Sequence, residues 1–230
     1  MIVSHAHRFI FLKTKKTADT SIELALTKLC GEDDIITPLT AIDEARRVDE
    51  RGAQNWKRHG WWNSPRPFWK RRLLKFTAAD YGFYNHMTAD AARTLLNDDE
   101  MWRSYFKFAF DRNPWDRQVS FYQHRYRKEP SPPPFPDFIH GDKRARINNY
   151  EIYSLAGDVA VDFVGRYENL EADLKHALAQ VGLKLDAALP RAKGTFRKDK
   201  RPYREFYDND TRDIVGDWYA REIKLLDYAF

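Results

Sequence analysis

Phe9-Ile10-Phe11-Leu12 runs into Lys13-Thr14-Lys15-Lys16-Thr17-Ala18-Asp19-Thr20-Ser21, and then into Ile22, Ala25, Leu26 and Leu29 at helical spacing. An apolar run, a polar segment and a 3.6-period stripe in that order predict strand, loop and helix. The order returns twice. Tyr105 to Phe110 is an apolar run, Asp111-Arg112-Asn113-Pro114 follows it, and Trp115, Val119, Tyr122 and Tyr126 stripe a helix. Pro114 suits the first turn of that helix, where its missing N–H costs nothing. Val161 to Val164 leads through Arg166-Tyr167-Glu168-Asn169 to Leu170, Leu174, Leu178 and Val181, and Gly182 stops this third helix. A closing helix is expected from about Asn209 to Leu226, with Asp210 near its start and Val215, Trp218 and Ile223 packed on the sheet. Strands alternating with helices predict an α/β fold of three layers: a central, mostly parallel sheet flanked by helices, with ligands beyond the carboxyl ends of its strands.

The bulk composition agrees with one such domain over 1–230. The 230 residues are 43% hydrophobic and 15% aromatic, enough for a packed core, and the 32% charged residues give a solvated surface. A net charge of +5 is compatible with an anionic ligand, a nucleic acid, an acidic polysaccharide or an anionic membrane surface. The single cysteine, Cys30, has no intramolecular disulfide partner. No apolar run is long enough to span a bilayer, and the first residues lack a secretory pattern, so a cytoplasmic setting is expected. His5 and His7 precede the first expected strand, in a segment expected to fray.

Two stretches interrupt the rhythm. A basic, aromatic insertion spans about 51–75, and within it Trp56 to Lys75 holds seven Lys or Arg, four tryptophans and no acid. It is either a substrate surface or a flap that packs its tryptophans on the core. The proline-rich stretch at about 129–137 is expected to be a connection or spacer.

The loop from Lys13 to Ser21 lies where a helix N-terminus offers unpaired N–H groups and partial positive charge. With Lys16, Thr17, Thr20 and Ser21 it can hold a doubly ionised group. On the residues alone a capped surface helix is the more common reading of such a segment, and the anion site the minority one. The string Gly-x-x-x-x-Gly-Lys-[Ser/Thr] is absent, which counts against an ordinary P-loop nucleotidase or kinase, and Asp111 as a magnesium-binding acid then lacks its partner motif.

Lys15-Lys16-Thr17-Ala18-Asp19-Thr20-Ser21 resembles the Pro-Lys-Thr-Ala-Gly-Thr-Ser loop of sulfotransferases that use 3′-phosphoadenosine 5′-phosphosulfate (PAPS), the group related to carbohydrate O-sulfotransferases. Arg112-Asn113-Pro114-Trp115-Asp116-Arg117-Gln118-Val119-Ser120-Phe121-Tyr122 is similar to the same family's 3′-phosphate loop, and Asp162 to Leu170 and Tyr219 to Ile223 extend the likeness. The resemblance implies a P-loop-type sulfotransferase fold. It implies PAPS as co-substrate, 3′-phosphoadenosine 5′-phosphate (PAP) as product, and no metal. Lys15, Lys16, Thr17, Thr20 and Ser21 would bind the 5′ phosphosulfate, with Lys16 on the bridging oxygen, and Arg112 and Ser120 would bind the 3′ phosphate. Lys193 and Arg197, in a late basic run from Arg191 to Arg204, would close over the nucleotide. Lys15 replaces the usual proline. Asp19 replaces the usual glycine, which sets a carboxylate beside the phosphosulfate unless Lys13 or Lys15 neutralises it. Aspartate tolerates the left-handed backbone a glycine would adopt there. Trp115 is assigned to the core, and Asp116 and Arg117 to loop structure.

His86, just before the stripe Ala89, Ala92, Leu95 and Leu96, reads as a helix cap, a satisfied surface residue or a base. The segment resembles the Gly-His-x-x-Ala region of related O-sulfotransferases, which implies that His86 is the base, with Asn85 in place of the glycine; His59 and His124 are the alternatives. The implied reaction moves a sulfuryl group in line from PAPS to a hydroxyl of a carbohydrate or other small acceptor. No nucleic acid partner is implied. The competing reading is a non-catalytic binder of anionic polysaccharide or nucleic acid, using the segment from Trp56 to Lys75.

Overall fold

The computed structural model describes residues 1–47, 51–57, 82–141, 146–185, 189 and 199–230. Strands β1 (Ile2–Ser4), β2 (Phe9–Leu12) and β3 (Ile35–Ile36) are followed by β4 (Phe106–Asp111), the hairpin β5 (Ser154–Leu155) and β6 (Asp158–Val159), and β7 (Phe163–Arg166). The main sheet has the order β3-β1-β2-β4-β7, in which β2, β4 and β7 are parallel neighbours and β1 is antiparallel to β2 and β3. The mixed α/β architecture with a mostly parallel sheet is therefore the one expected from the strand–helix alternation.

Alternation along β2 and β4 divides the core. Phe9, Phe11, Phe108 and Phe110 face one side, where Ile22 and Leu26 of α1 (Asp19–Thr27) and Leu174, Ala177 and Leu178 of the later helix Leu170–Ala179 cover them. Ile10, Leu12 and Ala109 face the other, against Met87 and against Ala89 and Ala92 of the helix Ala89–Leu96. Gly165 pairs with Phe110 across β4 and β7, and a Cβ at Gly165 would run into the Phe110 ring, so this position admits no side chain without a shift of that ring.

Among the described residues the α-helices are, in chain order, α1, α2 (Ala41–Glu44), α3 (Ala89–Leu96), α4 (Asp99–Ser104), α5 (Pro114–Arg125), α6 (Phe135–Gly141), α7 (Leu170–Ala179), α8 (Asn209–Trp218) and α9 (Ala220–Leu226). Thr88, Asp98, Asn113 and Asp208 each cap the following helix by accepting a backbone N–H, and Thr211 completes a capping box with Asp208.

Three expectations are corrected. Residues 2–4 do not fray: Ile2, Val3 and Ser4 are buried in β1, because the antiparallel register with β2 satisfies them. The closing helix is two helices, broken at Tyr219, whose hydroxyl accepts from the Ile147 amide at 2.7 Å and meets Gln118 Oε1 at 3.2 Å. It packs through Val215 and Tyr219 on Trp115 and Val119 of α5 and on Phe135 and Phe138 of α6, forming a third apolar cluster without strand residues.

Candidate donor-binding site

Leu12 and Ala109 are paired across the parallel strands β2 and β4, so the loops that follow these strands emerge side by side. In the first loop Lys16 and Ala18 have left-handed backbones, with φ of 65° and 58°. For residues with a Cβ this is costly, about 1–2 kcal/mol each, so the surroundings must hold it. They do. Thr14 Oγ1 donates to the Phe110 carbonyl and lies 2.9 Å from Thr17 Oγ1, which pins the loop to β4. Buried Asn149 clamps Lys15 from the other side, accepting its N–H at 2.9 Å and donating to its carbonyl at 3.0 Å.

The Ala18 carbonyl accepts from the amides of Ser21 and Ile22 and so opens α1. Ser21 and Thr17 are buried, Lys16 is partly buried and the Lys15 side chain is exposed. Thr20 Oγ1 is buried with no hydrogen-bond partner among the described residues. An orphaned hydroxyl in the first turn of a helix, beside a lysine, suits the oxygen of a bound anion.

Arg112, just past β4, reaches back to this loop. Its Nη1 donates to the Lys16 carbonyl at 3.3 Å, its Nε and Nη2 donate to Asp116 Oδ2 at 2.8 and 2.6 Å, and its guanidinium lies 4.1 Å from the centre of the Tyr167 ring. Those three bonds leave two of the five guanidinium N–H donors for a ligand. Ser120 lies two turns along α5 and is partly exposed.

Asp116 holds Arg112, while buried Arg117 donates to Asp111 and to Glu222 Oε1, the latter at 3.3 Å, because successive helical positions point to different neighbours. Trp115 is buried as expected, with Nε1 donating to the Arg212 carbonyl. Asp111 also accepts from the Arg112 amide, Asn149 Nδ2 and Tyr153 Oη, so the carboxylate is saturated by protein donors. Asp111 and Asn149 therefore tie the second loop to the first, a role the sequence reading missed.

His86 closes the third side. It has a left-handed backbone (φ 57°), and its Nδ1 lies 3.1 Å from the Lys13 carbonyl. A carbonyl only accepts, so Nδ1 carries the proton and the neutral ring keeps its lone pair on Nε2. Burial pushes the imidazole down to about 4; Asp19 opposes that shift and Lys13 adds to it. The ring is thus neutral at pH 7, as a proton acceptor must be.

The left-handed residues are Lys16 and Ala18, and Asp19 is the first residue of α1, so Asp19 does not adopt a glycine-like backbone. Its carboxylate is 3.4 Å from Lys13 Nζ, which supplies the neutralising charge considered for it, and 4.0 Å from His86 Nε2. Lys13 is itself held by Glu23 at 2.6 Å. Burial alone would raise the Glu23 carboxyl, but the α-amino group of Met1, Lys13 and Arg47 hold it below the usual range.

Lys193, Arg197 and His59 lie outside the described residues, as does most of the segment from Trp56 to Lys75; Trp56 packs its indole on the core. His124 is in the last turn of α5. Past Ser120, Tyr122, Tyr126 and Phe135 line an open groove with Pro130 to Pro136 and the segment Asp199 to Phe206, so the proline-rich connection walls a concavity as well as spanning a gap. Among the described residues no group of three or more His, Cys, Asp or Glu is arranged to hold a metal ion, and no helix is long and apolar enough to cross a membrane.

A curated protein of Archaeoglobus fulgidus, itself described only as uncharacterized, is 32% identical over 88 residues, covering 36% of this chain and 73% of the relative. No solved structure gives a significant match. The model of the sulfotransferase family matches residues 1–229, essentially the whole chain and both loops at the ends of β2 and β4. The chain belongs to the sulfotransferase family.

Proposed function

We propose that this chain transfers a sulfuryl group from PAPS to a hydroxyl of a carbohydrate or other small acceptor, as a single cytoplasmic domain. The observation that carries the reading is the bond from Arg112 to the Lys16 carbonyl, which joins a guanidinium at the end of β4 to the cationic loop at the end of β2. Two anion-binding elements side by side suit a nucleotide bearing separate 3′ and 5′ charged groups.

On this reading the amides and hydroxyls at the start of α1, with Lys15 and Lys16, hold the 5′ phosphosulfate, and the unpartnered Thr20 hydroxyl supports that role. Arg112 and Ser120 hold the 3′ phosphate, and Lys193 and Arg197 close over the nucleotide. The bound donor supplies a sulfuryl group whose bridging S–O bond breaks with the electron pair left on the phosphate of PAP. Lys16 stabilises that charge, the acceptor oxygen forms the new O–S bond, and His86 Nε2 takes the acceptor's proton. The basic and aromatic composition of about 51–75 makes that stretch the candidate for meeting the acceptor.

Transfer of labelled sulfate from PAPS to a panel of sugars and phenols tests the reaction. His86→Ala is expected to keep PAP affinity while turnover falls by roughly 10²–10⁴. Unchanged turnover in that variant removes His86 as the base, and no transfer to any acceptor by the parent chain, with PAP bound, argues for a binder instead.

A further inference from the structure

The acid that departs from the family's donor loop lies beside the residue assigned as base. Asp19 Oδ2 is 4.0 Å from His86 Nε2 and 3.4 Å from Lys13 Nζ. The ring is fixed by its other nitrogen, which donates to the Lys13 carbonyl at 3.1 Å. Nε2 is therefore both the atom able to take a proton and the atom that faces the carboxylate. Lys13 holds both partners, Asp19 through its ammonium and His86 through its carbonyl, and is anchored by Glu23.

We propose that Asp19 is a positioning residue for the base: its carboxylate stabilises the His86 imidazolium formed when Nε2 takes the acceptor hydroxyl's proton. The inference rests on the sulfuryl-transfer reading for its chemistry, but the pairing itself can be tested without turnover. The proton moves from the acceptor O–H to Nε2, the acceptor oxygen bonds to sulfur, and the bridging S–O pair leaves with PAP. Unlike a second lysine or a glycine, a carboxylate at 4.0 Å favours the charged ring and leaves room for an acceptor oxygen to approach Nε2.

The charged groups that act on the ring are Asp19, which raises its proton affinity, and Lys13 and the α-amino group of Met1, which lower it; burial is the largest influence and also lowers it. An acid in the first turn of α1 also interacts favourably with the helix dipole. That role alone would leave the titration of His86 unmoved, which makes the titration decisive.

The test is a nitrogen-15 NMR titration of His86 in the full chain, comparing the parent with Asp19→Asn, which keeps the side chain's shape, and Asp19→Gly, which installs the residue usual in the family. PAP affinity is measured on the same samples. Burial holds the parent's imidazole down to about 4. Removing an opposite charge at this range should lower the midpoint of the titration further, by about one unit or more, in either variant. PAP affinity should hold or rise, since a negative charge has left the donor loop. A His86 titration that does not move in the folded variants overturns the proposal, and two variants guard against one failing to fold. Absence of PAP binding in the parent overturns the donor reading instead, while the titration still decides the pairing.

Discussion

Replacing Asn149 by alanine should loosen the donor loop from a position 134 residues away in sequence. The side chain is fully buried and makes three bonds: it accepts the Lys15 amide at 2.9 Å, donates to the Lys15 carbonyl at 3.0 Å and donates to Asp111 Oδ1 at 3.1 Å. At about 1 kcal/mol for each bond, with some recovery by water entering beside exposed Lys15, the variant should lose roughly 2–3 kcal/mol of stability. The loop must then be ordered by the ligand, and about 1.4 kcal/mol of that cost appears as a roughly tenfold weaker PAP affinity. Urea denaturation gives the first quantity and titration calorimetry the second. Asn149→Asp should be worse than alanine, because it sets a second carboxylate against Asp111 and against the Lys15 carbonyl. A stability change under about 0.5 kcal/mol together with PAP affinity within about twofold of the parent would refute the claim that Asn149 couples the loops.

Two further outcomes follow from the geometry. His86 is neutral in the fold down to about 4 but titrates near 6.5 when unfolded, so between these values the unfolded chain binds more protons and stability falls as pH falls. His86→Asn, which suits the left-handed backbone, should remove about 1–3 kcal/mol of that acid-side loss, the range allowing for the 29% of the side chain that solvent reaches; parallel stability curves for parent and variant from pH 7 to pH 4 would contradict it. Ala18→Gly should stabilise the chain by about 0.5–1 kcal/mol by relieving a Cβ at φ 58°, and a lower urea midpoint would count against the loop conformation described.

The legible parts of the fold were those written in local periodicity. The apolar runs Phe9–Leu12 and Phe106–Phe110, each followed by a polar segment and a helical stripe, announced two strand–loop–helix units, and the structure sets their strands side by side in parallel. What the pattern could not give was set by contacts between distant residues. β3 has only two residues and exists because β1 offers it an edge. The break at Tyr219 depends on a hydroxyl bonded to Gln118 and Ile147. Asn149 lies in no amphipathic stripe, and nothing in its neighbours announces that it clamps Lys15. The glycine pattern of the family directed attention to Asp19, whereas the left-handed residues proved to be Lys16 and Ala18. A carboxylate ending an apolar strand was a true signal at Asp111, and its meaning, a hub for Arg117, Tyr153 and Asn149, needed the tertiary structure.

The central claim is that Arg112 and the Lys16 loop together form a site for a nucleotide carrying both 3′ and 5′ charged groups. Calorimetric titration with PAP and with 5′-AMP tests it most directly. Two charge-assisted bonds from Arg112 to the 3′ phosphate, worth about 3 kcal/mol together, predict that PAP binds roughly 150-fold more tightly than 5′-AMP and that most of the difference is lost in Arg112→Ala, where Ser120 alone remains. Equal affinities for the two nucleotides in the parent chain would contradict the account.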